Sequence, residues 1–303
     1  MLAAMMFFGC LSVSVFAADN AVTVTFSAFD GSVLMPKQVL TVSDGTAEAY
    51  GFVNAETDHN GEAIKGVTAL DVLAAAHKAY YGDLFTAETA SEYLSVDKGM
   101  IKLAFGKNAN GSSFAVNNMA PHDDIYITDP VWGSAYTGYS IEETRISNGD
   151  YMAYFFYQDR YMYSDMYAWF TTSDGETLNS AKTVVNDSLT VTLKGFCYAW
   201  YGCYKVEDQG IAPLSGVDVY FVKDGVYTLA GQTDENGSIT LTFDKKGDWQ
   251  ICAYGETLDE YEMEAPVSAA WCDITVQTKM QNFFDRVISF FRGILEAIAK
   301  IFR

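Results

Sequence analysis

The chain reads as an α+β protein made of two strand-rich units and a helical tail. Three observations carry that reading. Residues 21–29 and 188–193 alternate apolar and polar side chains with the period of half-buried strands. Residues 68–81 hold helical spacing with a start signal and a stop signal. From residue 279 onward the apolar repeat changes from strand to helix period.

The first segment, MLAAMMFFGCLSVSVFA at 1–17, is uncharged and mostly apolar. It is too short to cross a bilayer before polar Asp19 and Asn20. Val15 and Ala17 fit a signal-peptidase site, so cleavage after Ala17 and an extracellular or cell-surface location are expected. The usual basic opening is missing. Seven mostly apolar residues follow Cys10, where a lipidated cysteine would be followed by a polar tether.

The first unit spans 18–172. In residues 21–29, Val22, Val24, Phe26 and Ala28 share one face. Asp30-Gly31 turns the chain, and Val33 to Val42 is a second extended arm. Residues 44–66 are polar and dotted with glycine, hence loop. Thr68 is a fit N-cap for the helix, Asp71 suits its first turn, and Gly82 stops it. Leu70, Leu73, Ala74, His77 and Tyr81 line one face of that helix. Short strands are expected near 101–105 and 112–117, and a turn at Asn148-Gly149-Asp150 leads into an aromatic strand from Tyr151 to Tyr157. The segment 151–170 holds ten aromatic residues. Tyrosine offers a large rigid area with a polar tip, so Tyr151, Tyr154, Tyr157, Tyr161 and Tyr163, with Trp132, are the candidate ligand-binding residues. The same rings equally suit a packed core, and the sequence leaves both open.

The second unit spans 178–277. Leu189, Val191 and Leu193 point inward from the stretch at 188. Further strands are expected at 214–221, 226–229, 233–243, 248–254 and 271–276, each set off by turn formers such as Asp224-Gly225. Short strands at roughly ten-residue spacing with no helical pattern between them describe a small β-sandwich.

The tail at 279–303 carries an apolar stripe including Phe283, Phe284, Ile288, Phe291 and Leu295. Five basic and two acidic residues give it a net charge of +3. The whole 303-residue chain has 39 acidic and 19 basic side chains, a net charge of −20. A basic amphipathic helix on an acidic protein suits an anionic membrane surface, self-association or a partner. The overall negative field disfavours nucleic acid.

Four cysteines follow residue 17: Cys197, Cys203, Cys252 and Cys272. An even number in an exported chain suggests two disulfides, with Cys197–Cys203 and Cys252–Cys272 the favoured of three pairings. No His-Glu-x-x-His, nucleophile elbow or phosphate-binding loop is present, so no catalytic residue, metal or cofactor is expected. His77 reads as a packed residue on its helix, and His122-Asp123-Asp124 as a polar loop.

Three blocks resemble the transcobalamin-like C-terminal domain family, a bacterial domain of unknown function found in exported proteins. They are Thr68-Ala-Leu-Asp-Val-Leu-Ala-Ala-Ala, Ser113-Phe-Ala-Val-Asn-Asn-Met, and Ile146-Ser-Asn-Gly-Asp-Tyr-Met-Ala-Tyr-Phe-Phe-Tyr. The resemblance covers roughly 22–160 and implies a β-grasp-like fold, a small sheet packed on one helix. The insert at 119–140 and the missing tryptophan before the Asn turn depart from the family pattern. The second unit is similar to carboxypeptidase-regulatory-like (prealbumin-like) and bacterial immunoglobulin-like modules, through Leu214-Ser-Gly-Val, Gly231-Gln-Thr-Asp-Glu-Asn-Gly and Gly247-Asp-Trp-Gln-Ile. The expected function is an exported cell-surface binding or adhesion protein without catalysis, for a protein, glycan or small-molecule ligand. The resemblance also implies a cobalamin-like ligand as an alternative, and the abundant carboxylates leave a polysaccharide hydrolase as a third.

Overall fold

A computed structural model describes residues 21–129, 133–208, 210–258 and 262–283, and beyond them 288, 290, 292, 296 and 300. The ordered elements begin with β1 (Ala21–Phe29), β2 (Val33–Ser43) and helix α1 (Ala69–Tyr81). Next come β3 (Ser95–Asp97), β4 (Met100–Ala104), β5 (Lys107–Asn108), β6 (Ser112–Val116), β7 (His122–Asp129), β8 (Gly133–Gly138) and β9 (Tyr151–Phe156). Then follow β10 (Met166–Thr171), β11 (Ser180–Val184), β12 (Ser188–Cys197), a four-residue helix α2 (Tyr198–Tyr201) and β13 (Ala212–Pro213). The last strands are β14 (Asp218–Lys223), β15 (Val226–Gln232), β16 (Ser238–Thr242), β17 (Gly247–Leu258) and β18 (Glu264–Gln277). The structure is mostly strand, arranged in several sheets, with one helix of several turns among the described elements.

The chain forms two compact units that interleave along the sequence. The first takes the described residues up to Ala168, with Gly195–Ala212 and Gly255–Ala269. The second takes Trp169–Lys194, Pro213–Tyr254 and the described residues from Ala270 onward.

In the first unit a four-stranded sheet runs β2-β1-β9-β6. β1 is antiparallel to β2 and parallel to β9, and β9 is antiparallel to β6. The alternation in β1 buries Val24, Phe26 and Ala28, which meet Met152, Tyr154 and Phe156 of β9 in one core. Helix α1 packs on β1 and β2. Its start is a capping box: the Asp71 amide donates to Thr68 Oγ1 at 3.2 Å, and the Thr68 amide donates to Asp71 Oδ2 at 2.9 Å. Asp71 also accepts the Ala47 amide at 2.7 Å, so one buried carboxylate ties the 44–66 loop to the helix. Burial pushes the Asp71 carboxyl up, and these hydrogen bonds oppose that.

Asn148 Oδ1 accepts the Thr23 amide at 2.9 Å, and the Gly149 amide donates to Thr23 O at 2.7 Å. Gly149 sits at φ +92°, in the left-handed region where glycine costs least. This turn delivers β9 alongside β1. β3, β4 and β5 form a small sheet, and β7 pairs with β8 in a separate hairpin.

In the second unit β14 pairs antiparallel with β15 and β17, β11 runs parallel to β18, and β12 pairs with β16. The β12–β16 pair adds hydroxyl contacts, Thr190 to Thr240 at 2.9 Å and Thr192 to Ser238 at 3.0 Å. Asp234 Oδ1 accepts the Asn236 and Ser238 amides and shapes the turn into β16. Gly237 in that turn has φ +70°, and a Cβ there would stand 2.7 Å from the Leu193 carbonyl.

Three expectations need revision. The polar stretch 44–66 holds a short 3₁₀ turn at Glu48–Tyr50 and a Thr57–Ala63 bridge, not loop alone. His122-Asp123-Asp124, expected as a polar loop, opens strand β7 of the β7–β8 hairpin within the insert at 119–140. The stretch 178–277 is not free of helix, since α2 and a 3₁₀ turn at Val206–Asp208 interrupt it. In the tail, Thr278 and Gln281 form a second capping box, and residues 279–283, 288, 290, 292, 296 and 300 are helical. The rest of the expected tail helix, like the expected signal segment 1–17, lies outside the described residues. No helix among the described residues is long and apolar enough to cross a membrane.

Candidate functional site

The candidate tyrosines do not share a face. Tyr154 is buried, and its hydroxyl donates to Ser112 Oγ at 2.7 Å. Tyr157 is buried as well, with its ring edge-on to Phe155 at 5.6 Å. Burial pushes both phenols well above their ordinary pKa, so each stays protonated at any physiological pH. Tyr151 is half-buried, with its hydroxyl 2.7 Å from Ser27 Oγ. Phe155, Tyr167 and Tyr198 pack together at centroid distances of 5.0–5.6 Å. Most of the aromatic segment is therefore core. Trp132 lies outside the described residues.

Tyr161 and Tyr163 stand apart from that core. They sit on the loop between β9 and β10, which two carboxylates fold. Asp159 accepts the Tyr161 and Met162 amides at 3.0 Å and the Ser164 hydroxyl at 2.8 Å. Asp165 accepts the Gln158 and Asp159 amides at 2.6 and 3.0 Å. The Met162 amide is the largest influence holding the Asp159 carboxyl below its ordinary pKa. Burial raises that of Asp165. The loop so ordered leaves Tyr161 89% exposed. Met162 and Tyr163 are exposed beside it.

Helix α2 adds a fourth apolar side chain to this surface. Trp200 is 59% exposed, and its indole N–H donates to the Met162 carbonyl at 3.2 Å. One turn of α2 therefore points Tyr198 into the core and holds Trp200 on the surface. Tyr163 turns edge-on to Tyr157 at 5.3 Å, and the Cys197 thiol donates to the Tyr163 carbonyl at 3.3 Å. Trp200, Met162, Asp159 and Asp165 were not candidates in the sequence. The one local signal for the loop was the Asp159 side chain two residues before Tyr161, the arrangement of an Asx turn.

A cleft of about 260 Å³ opens next to this loop, lined by Met100, Ile101 and Lys102 of β4 and by Asn110, Ser113 and Phe114 around β6. Gly111 belongs to its wall, and a Cβ on Gly111 would touch Tyr163 Cε1 at 3.8 Å and Arg160 Cδ at 3.9 Å. Gly111 thus stands between the cleft wall and Tyr163. The volume of the cleft falls below the roughly 300–1,000 Å³ of sites that enclose a drug-sized ligand, so a corrinoid does not fit inside it.

A second polar cluster ties the β7–β8 hairpin to the loop at 58–62. His59 Nε2 lies 2.9 Å from Asp123 Oδ2, and His59 Nδ1 lies 3.5 Å from Glu143 Oε1. Asn60 donates to the same Asp123 oxygen at 2.9 Å, and Arg145 reaches Asp58 at 3.3 Å. The hydrogen bond to Asp123 is the main cause that raises the His59 pKa. Burial would raise the Asp123 carboxyl, but bonds from Asn60, the Ile125 amide and His59 outweigh it and hold it at about 2. Every partner here is an acid, an amide or a guanidinium engaged with another, which makes the cluster a tie between segments. No group of His, Cys, Asp and Glu among the described residues has the arrangement to hold a metal ion.

The two expected disulfides are not formed: Cys197, Cys203, Cys252 and Cys272 are all thiols. Cys197 is engaged with the Tyr163 carbonyl, while Cys203 lies against Gly138, where a Cβ would sit 3.7 Å from its sulfur. Cys252 and Cys272 are buried in the core of the second unit.

No protein-family model matches this chain, and no curated protein matches it. One solved structure, described as the Bacteroides ovatus mixed-linkage glucan utilization locus SGBP-B in complex with a mixed-linkage heptasaccharide, is similar over 55% of this chain and 37% of that one. The two are 13% identical over the match, with a TM-score of 0.18.

Proposed function

We propose that the chain is an exported, non-catalytic recognition protein of the cell surface, built from a β-grasp-like unit and a β-sandwich-like unit. The observation that carries this reading is the group Tyr161, Met162 and Tyr163, exposed on a loop held by Asp159 and Asp165, with exposed Trp200 of α2 bonded to the Met162 carbonyl. Rigid aromatic residues with polar tips supply contact area at little cost in side-chain entropy. Exposed apolar groups collected in one place mark interaction sites more often than chance surface. The strand order β2-β1-β9-β6, with its parallel central pair and single helix, supports the β-grasp-like reading. The signal-like segment 1–17 supports export.

The test has two arms. Cell fractionation reports the compartment, and recovery of the chain from the cytosol with residues 1–17 intact overturns export. Adsorption of purified protein to isolated bacterial envelopes reports recognition. The double variant Tyr161→Ala, Trp200→Ala is expected to adsorb much less while keeping its circular dichroism spectrum. Equal adsorption by both proteins overturns the assignment of the surface.

A further inference from the structure

We infer that the surface formed by Trp200, Tyr161, Tyr163 and the Lys102–Asn110 cleft binds an uncharged saccharide, an inference that rests on the recognition reading above. Two chemistries meet here that a sugar chain needs together. The first is a set of flat apolar faces. Trp200 on α2 is held by its N–H bond to Met162 and is 59% exposed, and Tyr161, on the loop that carries Met162, is 89% exposed. Such faces suit the C–H side of a pyranose ring, which is apolar and of similar size to an indole.

The second is a polar recess within reach of those faces. Lys102 and Asn110 line the cleft beside Gly111, and Tyr163 and Arg160 pack on the other side of Gly111. Lys102 and Arg160 are donors for hydroxyl oxygens, and the Asn110 amide both donates and accepts. Asn110 is exposed and Lys102 half-buried, so these groups meet a ligand without first losing a buried partner. Gly111 matters in its own right. It has φ +87°, a conformation that strains any other residue, and a side chain there would come into contact with Tyr163 and Arg160 at the edge of the recess.

The size and charge narrow the ligand further. A recess of about 260 Å³ takes one sugar unit, so the remaining units of a chain lie along Tyr163, Tyr161 and Trp200. The protein carries a net charge of −20, which works against a polyanionic glycan at long range. An apolar peptide would use the rings and leave the donors of the recess unmatched, at a cost in desolvation.

Isothermal titration of the full chain with cellohexaose, xylohexaose, mannohexaose and hexagalacturonic acid tests the inference. At least one neutral hexasaccharide is expected to bind, and Tyr161→Ala with Trp200→Ala to weaken it about tenfold or more. Lys102→Ala is expected to weaken it in the same direction by a smaller factor, and Gly111→Val to abolish it with the unfolding midpoint still measurable. Three outcomes overturn the inference: no neutral hexasaccharide binds, hexagalacturonic acid binds better than all of them, or binding ignores the ring variants. Envelope adsorption separates this failure from failure of the recognition reading. Adsorption that survives periodate oxidation of the envelopes and is lost on protease treatment keeps the recognition surface and removes the saccharide. Adsorption insensitive to Tyr161→Ala, Trp200→Ala removes both.

Discussion

Mild acid should destabilise the first unit through one buried histidine. His77 is fully buried on α1, where its Nδ1–H donates to the Leu73 carbonyl at 2.7 Å. Its Nε2 accepts the Phe105 amide at 2.7 Å, and its ring stacks on Phe105 at 4.2 Å. The N–H of Phe105 assigns the tautomer, because it leaves Nε2 without room for a proton. Desolvation lowers the His77 pKa from 6.5 to about 4. The unfolded chain therefore takes up a proton near pH 6.5 that the fold refuses until about pH 4. Stability is full above the unfolded value and falls as the pH drops from there toward the folded one. Between pH 7 and pH 5 the loss is about 2 kcal/mol, at roughly 1.4 kcal/mol per pH unit below the unfolded pKa. That is about a 30-fold shift toward the unfolded state. Urea unfolding followed by far-UV circular dichroism at the two pH values measures it, with His77→Gln as the non-titrating control. The variant is less stable at pH 7, and it loses most of the pH 7 to pH 5 difference. Equal pH dependence in both proteins would refute the assignment of the effect to His77.

Four further outcomes are expected. Asp71→Asn turns one acceptor of the capping box into a donor facing the Thr68 or Ala47 amide, and should cost about 1–3 kcal/mol in urea unfolding, where a loss under about 0.5 contradicts it. The His59–Asp123 tie depends on pH at both ends. The raised His59 pKa makes its contribution full below about 6.5 and lost as pH rises through the folded value, while that of Asp123 is present above 3.8 and lost as pH falls through about 2. Amide exchange in β7 and β8, corrected for intrinsic rate, should therefore speed up at alkaline pH, and Asp123→Asn should flatten that response. Iodoacetamide should modify Cys197 and Cys203 of the folded chain before buried Cys252 and Cys272, with burial also raising the Cys252 and Cys203 thiols; equal rates at all four would contradict the core placement. Deleting residues 279–303 should release the protein from anionic vesicles and leave its unfolding midpoint unchanged, and a truncated chain that fails to fold would show that the tail belongs to the core.

The parts of the fold legible in the sequence are those whose causes are local. Both ends of α1 are written within four residues of its termini: Thr68 with Asp71 at the start, Gly82 at the stop. The alternation of β1 likewise survives into the structure as buried Val24, Phe26 and Ala28. The β7–β8 hairpin gave no such signal, because Ile125 and Ile127 are exposed and no buried face imposes an alternation on the strand. Helix α2 is four residues long, too short for periodicity to register, and is set by its neighbours. The interleaving of the two units is a matter of long-range pairing. It draws Gly195–Ala212 and Gly255–Ala269 into the first unit, and nothing in either stretch marks the change.

The candidate site was legible in composition and illegible in geometry. Parity alone separates the tyrosines of β9: Tyr151 and Tyr157 point to one side of the sheet, Tyr154 to the other. Tyr154 joins Met152 and Phe156 in the core under α1, so it never had a surface to offer. Tyr161 and Tyr163 reach the surface because the strand ends at Phe156 and Asp159 then captures the amides of the residues that follow. A carboxylate three residues past a strand end is common in sequences, and its effect here depends on Asp165 closing the same loop from the far side. Trp200 arrives from a segment about forty residues away, and a single hydrogen bond to the Met162 carbonyl sets it beside Tyr161. In a one-turn helix the residue two places after an inward side chain points outward. Burial of Tyr198, whose hydroxyl donates to the Phe114 carbonyl, is therefore what turns Trp200 toward solvent. The proposed surface is thus fixed from the inside of the first unit, by a tyrosine that is itself buried.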